Sequence, residues 1–392
     1  MKILVIAIGL FATLAAEGQD LRRADLDDEL AGERQLEGDQ AAAEELYRDA
    51  LSILEKHPDD GADVRARVLG GLGLFRARQG RIEEAKTILE KALAGASAEL
   101  GERDIRTASL KSCLGQIYLI QGRAPEAESL LKDAVEIQRA GSASVADRVV
   151  SEAALGAAYT HEGRYSAAEP ILQLAVEEAR ELGESHPTYG SALTALADLY
   201  RVEGKQARME PLLRKAQAIY TAAFGPESPR VAEIMLDRSI ETMSEGKVAL
   251  AETELDEALG ILRKEGVNHP TVAIGEARLA KVYMEQGRYR EAKTMLEHAV
   301  PILEMTWPDG YLLADSLYDL AQVERLERDY AAAELGYRKA IAAYEKAGAA
   351  GSQGLEMALR QYASLLRTNR GEEAKALEKR AESLRRGVQA FR

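Results

Sequence analysis

Seven glycines recur along the chain at nearly constant intervals. They are Gly38, Gly80, Gly122, Gly163, Gly204, Gly246 and Gly287, separated by 42, 42, 41, 41, 42 and 41 residues. A fixed period of about 20 to 50 residues is typical of repeat architectures, in which each unit packs only on its neighbours. The length of 392 residues therefore does not have to be divided among several globular domains.

Two further registers of small residues extend the count of repeats to nine. The first consists of Ala50, Ala92, Ala134, Ala175, Ala216, Ala258, Ala299, Ala340 and Ala381. The second consists of Ala43, Ala85, Ala127, Ala168, Met209, Ala251, Ala292, Ala333 and Ala374, where only Met209 departs from alanine. Two helices approach closely only where a side chain is small, so we expect these positions to mark helix crossings.

Apolar spacing within one repeat predicts two helices. Ser151 to Gly163 carries one apolar helical face, which we name helix A, and Ser166 to Glu181 carries another, helix B. Gly163 stands where a helix ends in a left-handed turn. No single pair of helices buries its apolar face alone. The sequence therefore predicts an all-α, right-handed superhelical solenoid of about nine helix-turn-helix repeats.

Two local departures from the repeat have structural consequences. Arg328 stands where the other repeats have glycine. Pro301 follows Ala299 well inside helix B of the seventh repeat. Because proline removes a backbone hydrogen bond in a helix interior, we predict a kink or an early helix end at Pro301.

One repeat carries Leu155-Gly156, Tyr159, Gly163, Ala168 and Ala175, and this pattern resembles the tetratricopeptide repeat. The period of 41 to 42 residues and the Gly-x-x-His-Pro connection are similar to those of the kinesin light chain subtype. The resemblance covers about Leu26 to Leu384 and implies a protein-interaction module whose helices A line a concave groove. That subtype carries paired asparagines that hold a bound peptide. Here those places hold Thr194-Ala195, Ala153-Ala154, Ser112-Cys113 and Ala277-Arg278, so the peptide clamp does not carry over.

Composition and charge exclude several classes of function. The formal net charge of -14 repels nucleic-acid phosphate, so we expect no nucleic-acid partner. The single cysteine, Cys113, excludes an intramolecular disulfide, and its place in a helical pattern favours inert packing.

No motif for an enzyme, a metal or a cofactor is present, and we expect a non-catalytic protein. Three of the five histidines, His57, His186 and His269, precede proline in loops between repeats and are expected to shape and cap those loops. His161 and His298 are expected to be isolated, exposed helix residues.

The N-terminus has the pattern of a bacterial secretory signal. Lys2 precedes the apolar run Ile3 to Ala12, and small residues would allow cleavage after Ala15, Ala16 or Gly18. We expect a targeting segment over residues 1–18, a solenoid over 19–392 whose last repeat is a cap, and a secreted or periplasmic location. The run is too short for a typical membrane span, and an uncleaved anchor in the inner membrane is the alternative.

The concave groove is where a partner is expected to bind. Helix A residues that flank the packing positions in the C-terminal half are mostly basic, with apolar interruptions: Arg201, Lys281, Met284, Tyr318, Arg325, Arg360 and Arg367. Arginine pairs carboxylates bidentately, which favours a partner protein or peptide with an acidic segment. The alternative for these cations is that they bond to neighbouring repeats. The alternative for the function is a structural subunit of a cell-envelope complex, held by its edges or termini.

Overall fold

The computed structural model describes residues 2–58, 60–308, 310–347 and 352–390, with side chains described for 18–58, 60–264, 266–308, 310–347 and 354–385. Within these residues the chain forms 18 α-helices, one short 3-10 helix over Arg263–Glu265, and no strand. The odd-numbered helices are α1 Lys2–Glu37, α3 Ala62–Arg78, α5 Ile105–Ile120, α7 Val145–His161, α9 Pro187–Val202, α11 Pro229–Ser244, α13 Pro270–Glu285, α15 Tyr311–Leu326 and α17 Ser352–Leu366. The even-numbered helices are α2 Gln40–Leu54, α4 Ile82–Glu99, α6 Ala124–Ala140, α8 Tyr165–Glu181, α10 Gln206–Phe224, α12 Val248–Leu262, α14 Tyr289–Thr306, α16 Tyr330–Ala347 and α18 Gly371–Ala390.

Each odd-numbered helix packs on the even-numbered helix that follows it, and each hairpin then packs on the next. The all-helical solenoid expected from the repeat is confirmed. Successive odd-numbered helices contact one another closely from α1 to α9 and less from α11 to α17, whereas the contacts between successive even-numbered helices are sparse throughout. The odd-numbered layer therefore lies on the inside of the curve, and the even-numbered layer lies on the outside.

The turns inside the hairpins depend on a left-handed backbone residue. All seven recurring glycines have positive φ, between 70° and 86°. In the fourth repeat the N–H of Gly163 donates to the Thr160 carbonyl (3.0 Å) and the N–H of Arg164 donates to the Tyr159 carbonyl (2.8 Å). These bonds satisfy carbonyls that the helix end would otherwise leave unpaired.

Arg328 adopts the same left-handed conformation, with φ 68°, as the one non-glycine residue with positive φ in the described part of the chain. Its N–H donates to the Arg325 carbonyl (3.1 Å), and the next N–H, that of Asp329, donates to the Glu324 carbonyl (2.9 Å). The turn is thus preserved without glycine, at the steric cost that a Cβ brings to this region.

Small residues occupy the helix crossings, as the two registers predicted. Every alanine of both registers is buried, and so is Met209. Glycine also occupies helix crossings. A Cβ on Gly115 would lie 2.7 Å from Leu131 Cγ, and a Cβ on Gly156 would overlap Leu172. The hairpins of the early repeats are therefore packed more closely than an alanine would allow.

Histidines before proline cap the helices that follow them, which confirms the expected role for two of the three. His186 Nδ1 accepts a hydrogen bond from the Thr188 N–H (3.2 Å), and His269 Nδ1 accepts one from the Thr271 N–H (3.3 Å). Proline in the first turn has no N–H to satisfy, so histidine and proline together begin the helix.

Three expectations about local structure need correction. Helix A of the fourth repeat begins at Val145, because Ser144 caps it, and not at Ser151. Helix α14 continues through Pro301 to Thr306, so the early end expected there is wrong. His298 is not isolated, since its Nδ1 lies 2.5 Å from Glu276 Oε2.

The superhelix turns tightly enough for early repeats to contact late ones. A Cβ on Gly38, in the first hairpin turn, would lie 3.4 Å from Pro229 at the start of α11. A Cβ on Gly80, in the second hairpin turn, would lie 2.7 Å from Pro270 at the start of α13. The hairpin turns of the first two repeats therefore rest on the loops that open the sixth and seventh.

Candidate functional site

The inner surface of the odd-numbered helices is the candidate binding surface, and we call it the concave face. We define it by Val150, Asp198, Arg201, Val202, Asp237, Ile240, Arg278, Lys281, Asp315 and Asp319. Its apolar part lies on α7, α9 and α11, where Val150, Val202 and Ile240 expose 42%, 42% and 38% of their surface. Exposed apolar groups beside charged ones offer a partner both kinds of contact.

The charged part of the concave face is a series of ion pairs between adjacent helices. Arg278 of α13 lies 3.1 Å from Asp237 of α11. Lys281, one turn further along α13, lies 3.4 Å from Asp319 and 3.8 Å from Asp315, both of α15. The cations of one helix are thus paired with carboxylates of the helices on either side.

Arg201 is paired within its own helix, where its Nη2 lies 2.5 Å from Asp198. Burial acts to lower the pKa of Arg201, but the charges of Asp198 and Asp237 and the phenol of Tyr311 outweigh it, and the pKa is raised. Tyr311 begins α15, three repeats further on, so opposite walls of the superhelix approach one another here.

Asp319 is the most enclosed carboxylate of the concave face, with 7% of its surface exposed. Burial raises its pKa from the usual 3.8 to about 6, although the Lys281 ammonium opposes this change. The Lys281 pKa is raised: burial acts against the charged ammonium, but Asp319 and Asp315 stabilise it more strongly. The pair therefore stays ionised at neutral pH.

Tyr318 and Arg325 belong to a hydrogen-bond network centred on Gln322. The Gln322 Nε2 donates to the Tyr318 hydroxyl (2.5 Å), and its Oε1 accepts from the Arg325 Nε (3.1 Å) and the Tyr337 hydroxyl (2.8 Å). The rings of Tyr318 and Tyr337 lie 6.2 Å apart. These side chains connect α15 to its own even-numbered partner α16.

The remaining residues of the expected groove lie at its two margins. Met284 packs against the core. The Arg360 Nη2 lies 2.9 Å from Glu356 in the same helix, with 45% of its side chain exposed. Arg367 lies just past the end of α17 and its Nη2 lies 2.6 Å from Glu378 of α18. The structure thus brings Lys281, Tyr318 and Arg325 together but places Arg360 and Arg367 apart from them.

The carboxylates that accompany the basic residues were not predicted from the sequence. Asp198, Asp237, Asp315 and Asp319 share the inner surface with the cations, so this surface has mixed charge and is not a basic stripe. A signal was present in the sequence: Asp198 and Lys281 occupy equivalent places, six residues before Gly204 and Gly287. A comparison of acidic as well as basic residues at equivalent repeat positions would have predicted that both charges occur on the inner surface.

Cys113 lies on the inner layer of helices, on α5, and is half-buried. Burial raises the pKa of its thiol to about 12, and the carboxylates of Asp147 and Asp28 add to this effect. A thiol with so high a pKa stays protonated and is a poor nucleophile at neutral pH. Inert packing is the role that this geometry supports.

Among the described residues, no three side chains of the metal-binding types converge where one ion could be held. In that same part of the chain, none of the helices combines the length and apolar character that a membrane span requires.

Two stretches of the chain match family models. Residues 64–140 and 277–306 each match a model described as tetratricopeptide repeat. The chain carries tetratricopeptide repeats in these two stretches. The two matched stretches lie in different parts of the solenoid: the first covers the second and third helical hairpins, α3 to α6, and the second covers the seventh, α13 to α14.

Three solved structures illustrate what the chain is similar to. A Rap protein complexed with Competence and Sporulation Factor has a TM-score of 0.56 at 15% identity, over 83% of this chain and 99% of that one. BtubC (BKLC) from P. vanneervenii has a TM-score of 0.45 at 22% identity, over 55% and 90%. A putative kinesin light chain of Podosopora anserina has a TM-score of 0.39 at 27% identity, over 50% and 94%. No curated protein sequence matches the chain.

Tetratricopeptide repeats form protein-interaction scaffolds, whose curvature creates an extended concave binding surface. That is the coarse function which the fold and the family models support. The mixed charge of the concave face distinguishes this chain from a purely basic groove.

Proposed function

We propose that this chain is a non-catalytic scaffold that binds a segment of a partner protein on its concave face. The observation that carries the proposal is the arrangement on that face: exposed Val150, Val202 and Ile240 lead into the ion pairs of α11, α13 and α15. A partner segment on this face would therefore meet charged and apolar groups side by side, and this combination favours a role in recognition.

The ion pairs also determine which partner segment fits. Every cation of the concave face already has a carboxylate near it. A partner with acidic residues alone would have to displace Asp237 or Asp319 from Arg278 or Lys281. A segment with an acidic stretch beside apolar residues would offset that exchange by covering the apolar part of the face. Its acidic residues would bind Lys281 on the concave face and Arg360 at the margin, which have 48% and 45% of their side chains exposed.

The Rap protein of similar fold is complexed with Competence and Sporulation Factor. Binding of another molecule by a solenoid of this shape is consistent with the proposal. Because the similarity extends to the fold alone, the partner of this chain has to be identified by the chemistry of its own concave face.

We further propose that the protein acts outside the cytoplasm, with residues 1–18 as a targeting segment and 19–392 as the solenoid. The support is the apolar run Ile3 to Ala12 after Lys2. Helix α1 runs from Lys2 to Glu37, and its C-terminal half already belongs to the first repeat, since Ala24 and Ala31 are fully buried. Removal of residues 1–18 would leave this packing intact.

Capture of partners from an envelope extract tests the function. The purified 19–392 chain is compared with a double variant, called the concave-face variant, that neutralises Lys281 on the concave face and Arg360 at its margin: Lys281→Gln with Arg360→Gln. The matched control is Arg103→Gln with Lys264→Gln, which removes one arginine and one lysine charge from two connections between repeats, where each of these two cations pairs with a glutamate.

We expect the concave-face variant to lose a captured protein that the control retains. Equal capture by all three proteins would contradict binding on the concave face and would favour a structural subunit held by its edges. Circular dichroism on each variant establishes that the helices are intact.

A further inference from the structure

An apolar residue is exposed at each end of the solenoid, at the same place in the repeat. Leu26 of α1 exposes 52% of its surface, and Met357 of α17 exposes 45%. Each lies twelve residues before the hairpin-turn position of its repeat, which is Gly38 in repeat one and Asn369 in repeat nine. In the seven repeats between them this place is buried, and it holds Val68, Leu110, Ser151, Ala192, Ile234, Gly275 and Ser316. The place is thus covered where a repeat has a neighbour on both sides and uncovered at the two ends.

The charges at the two ends are complementary. Nine residues before the hairpin-turn position, Asp237 of α11 and Arg278 of α13 form an ion pair between repeats six and seven (3.1 Å). The same place holds Arg360 in repeat nine and Glu29 in repeat one. Glu29 is exposed, and Arg360 keeps 45% of its side chain exposed beside Glu356 of its own helix. A second α1 that packed on α17 as α13 packs on α11 would therefore bring an acid and a base together.

The hairpin turns indicate independently what would continue the solenoid. Gly80 of repeat two lies against Pro270 at the start of repeat seven, so a turn contacts the repeat five places further along the chain. Leu36 and Ile120, two residues before the turns of repeats one and three, line the gap between the early and the late repeats. Leu326 holds the same place in repeat eight but exposes 40% of its surface. By the same spacing, the repeat that would cover Leu326 is the fourth repeat of a following copy.

We propose that copies of this chain stack head to tail, with α1 of one copy on α17 of the preceding copy, and so continue the superhelix. Leu26 of one copy packs against Met357 of the other, and Glu29 pairs with Arg360. Because the contact joins two different surfaces and the two ends of a superhelix do not meet, it produces open filaments and no closed ring. The concave face then runs from copy to copy, which goes beyond the binding of a partner by a single chain.

The outer side of α18 makes this contact weak and reversible. Glu382 and Arg385 stand at the places that Ile341 and Tyr344 hold in α16, where both side chains are buried. The odd-numbered helices therefore supply the apolar part of the contact, while the even-numbered side is polar, as in a capping repeat. A small contact of this kind is expected to have a dissociation constant of about 10 to 100 µM.

Sedimentation equilibrium of the 19–392 chain, which keeps both ends of the contact, tests the proposal. The measurement is made without a partner protein and at physiological ionic strength, which screens the repulsion between chains of net charge -14. The average mass is expected to rise from that of one chain at about 1 µM to more than about twice that value at about 200 µM.

Two single variants each block one end. Leu26→Arg places a positive charge opposite Arg360, and Met357→Glu places a negative charge opposite Glu29, so each variant alone is expected to stay monomeric. An equimolar mixture of the two is expected to form a dimer and nothing larger, because each variant offers the end that the other lacks. Formation of that dimer also shows that both variants are folded. The control is Leu335→Glu, at a leucine of α16 in the outer layer that exposes 58% of its surface, and it should associate like the unchanged chain.

An unchanged chain that has the mass of a monomer at every concentration would overturn the proposal. Undiminished association of either variant alone, or a mixture that stays monomeric, would do the same. Association that is lost with one variant and kept with the other would assign the contact to two like ends and would contradict head-to-tail stacking.

Discussion

Gly80 lies against Pro270, although Gly80 belongs to the second repeat and Pro270 begins the first helix of the seventh. A Cβ at Gly80 would come within 2.7 Å of the proline Cγ, and the backbone there has φ 77°. This contact, with the related one between Gly38 and Pro229, joins one turn of the superhelix to the next.

Gly80→Ala is therefore expected to destabilise the protein in two ways, by backbone strain and by contact with Pro270. The strain alone costs roughly 1 to 2 kcal/mol. Gly246→Ala is the matched control, because Gly246 has φ 74° and a Cβ added there would meet nothing within 4 Å. Urea denaturation should show a larger loss for Gly80→Ala, and small-angle X-ray scattering should show an expanded particle for that variant alone. Equal losses and equal dimensions would contradict the contact.

Arg328 should be replaceable by glycine with a gain in stability. It is the one non-glycine residue of the described chain with positive φ, at 68°. Relief of the Cβ clash exceeds the extra chain entropy of glycine, which gives a net gain of about 0.5 to 1 kcal/mol in the free energy of unfolding. Arg328→Ala keeps the Cβ and should show no such gain in the same thermal denaturation experiment.

Asp319 should make stability depend on pH between about 4 and 6. Its pKa is raised from 3.8 to about 6 in the folded protein, so the folded chain holds this proton more tightly than the unfolded chain does. Its contribution is full below pH 4 and is lost as pH rises to 6, by at most about 3 kcal/mol. Asp319→Asn should flatten the pH profile of the unfolding free energy in this range.

Lys281→Gln should change the same profile in the opposite direction. Its ammonium lies 3.4 Å from Asp319 and opposes the rise in the Asp319 pKa. Without it the pKa rises further and the loss of stability extends to higher pH. Identical profiles for both variants and the unchanged chain would contradict the coupling.

Glu276 is the buried acceptor between two repeats, with 5% of its side chain exposed. It accepts from the Arg263 Nη2 (2.9 Å) and lies 2.5 Å from His298 Nδ1. Glu276→Gln is expected to lower the free energy of unfolding by about 2 to 3 kcal/mol, because two partners lose a buried charge. Glu152 holds the equivalent place three repeats earlier with Arg139 as its ion-pair partner, so Glu152→Gln should cost less. Glu227→Gln, in an exposed pair with Lys264, should cost under about 0.5 kcal/mol.

The sequence was sufficient for the fold because its periodic positions have a single physical role. Glycine is favoured at φ near 75° in the hairpin turns, and small residues are favoured at the helix crossings, so Gly163, Ala168 and Ala175 mark a repeat directly. His186 and His269 were likewise placed by the proline that follows each of them.

The candidate sites depend on relationships that the period does not contain. Lys281 and Asp319 belong to different repeats, and no single repeat predicts that their side chains meet. The contact between Gly80 and Pro270 requires the pitch of the superhelix, which accumulates from small rotations between many hairpins. The helix around Pro301 could not be predicted from the local sequence either, because packing of α14 on its neighbours stabilises a helix that the low helix propensity of proline opposes.

Binding on the concave face is most directly tested by partner capture with the Lys281→Gln, Arg360→Gln double variant of the 19–392 chain, beside the Arg103→Gln, Lys264→Gln control. We predict that a protein captured from envelope extract by the unchanged chain and by the control is lost, or reduced at least tenfold, with the concave-face variant. Retention of that protein by the concave-face variant at the level of the control would contradict binding on the concave face.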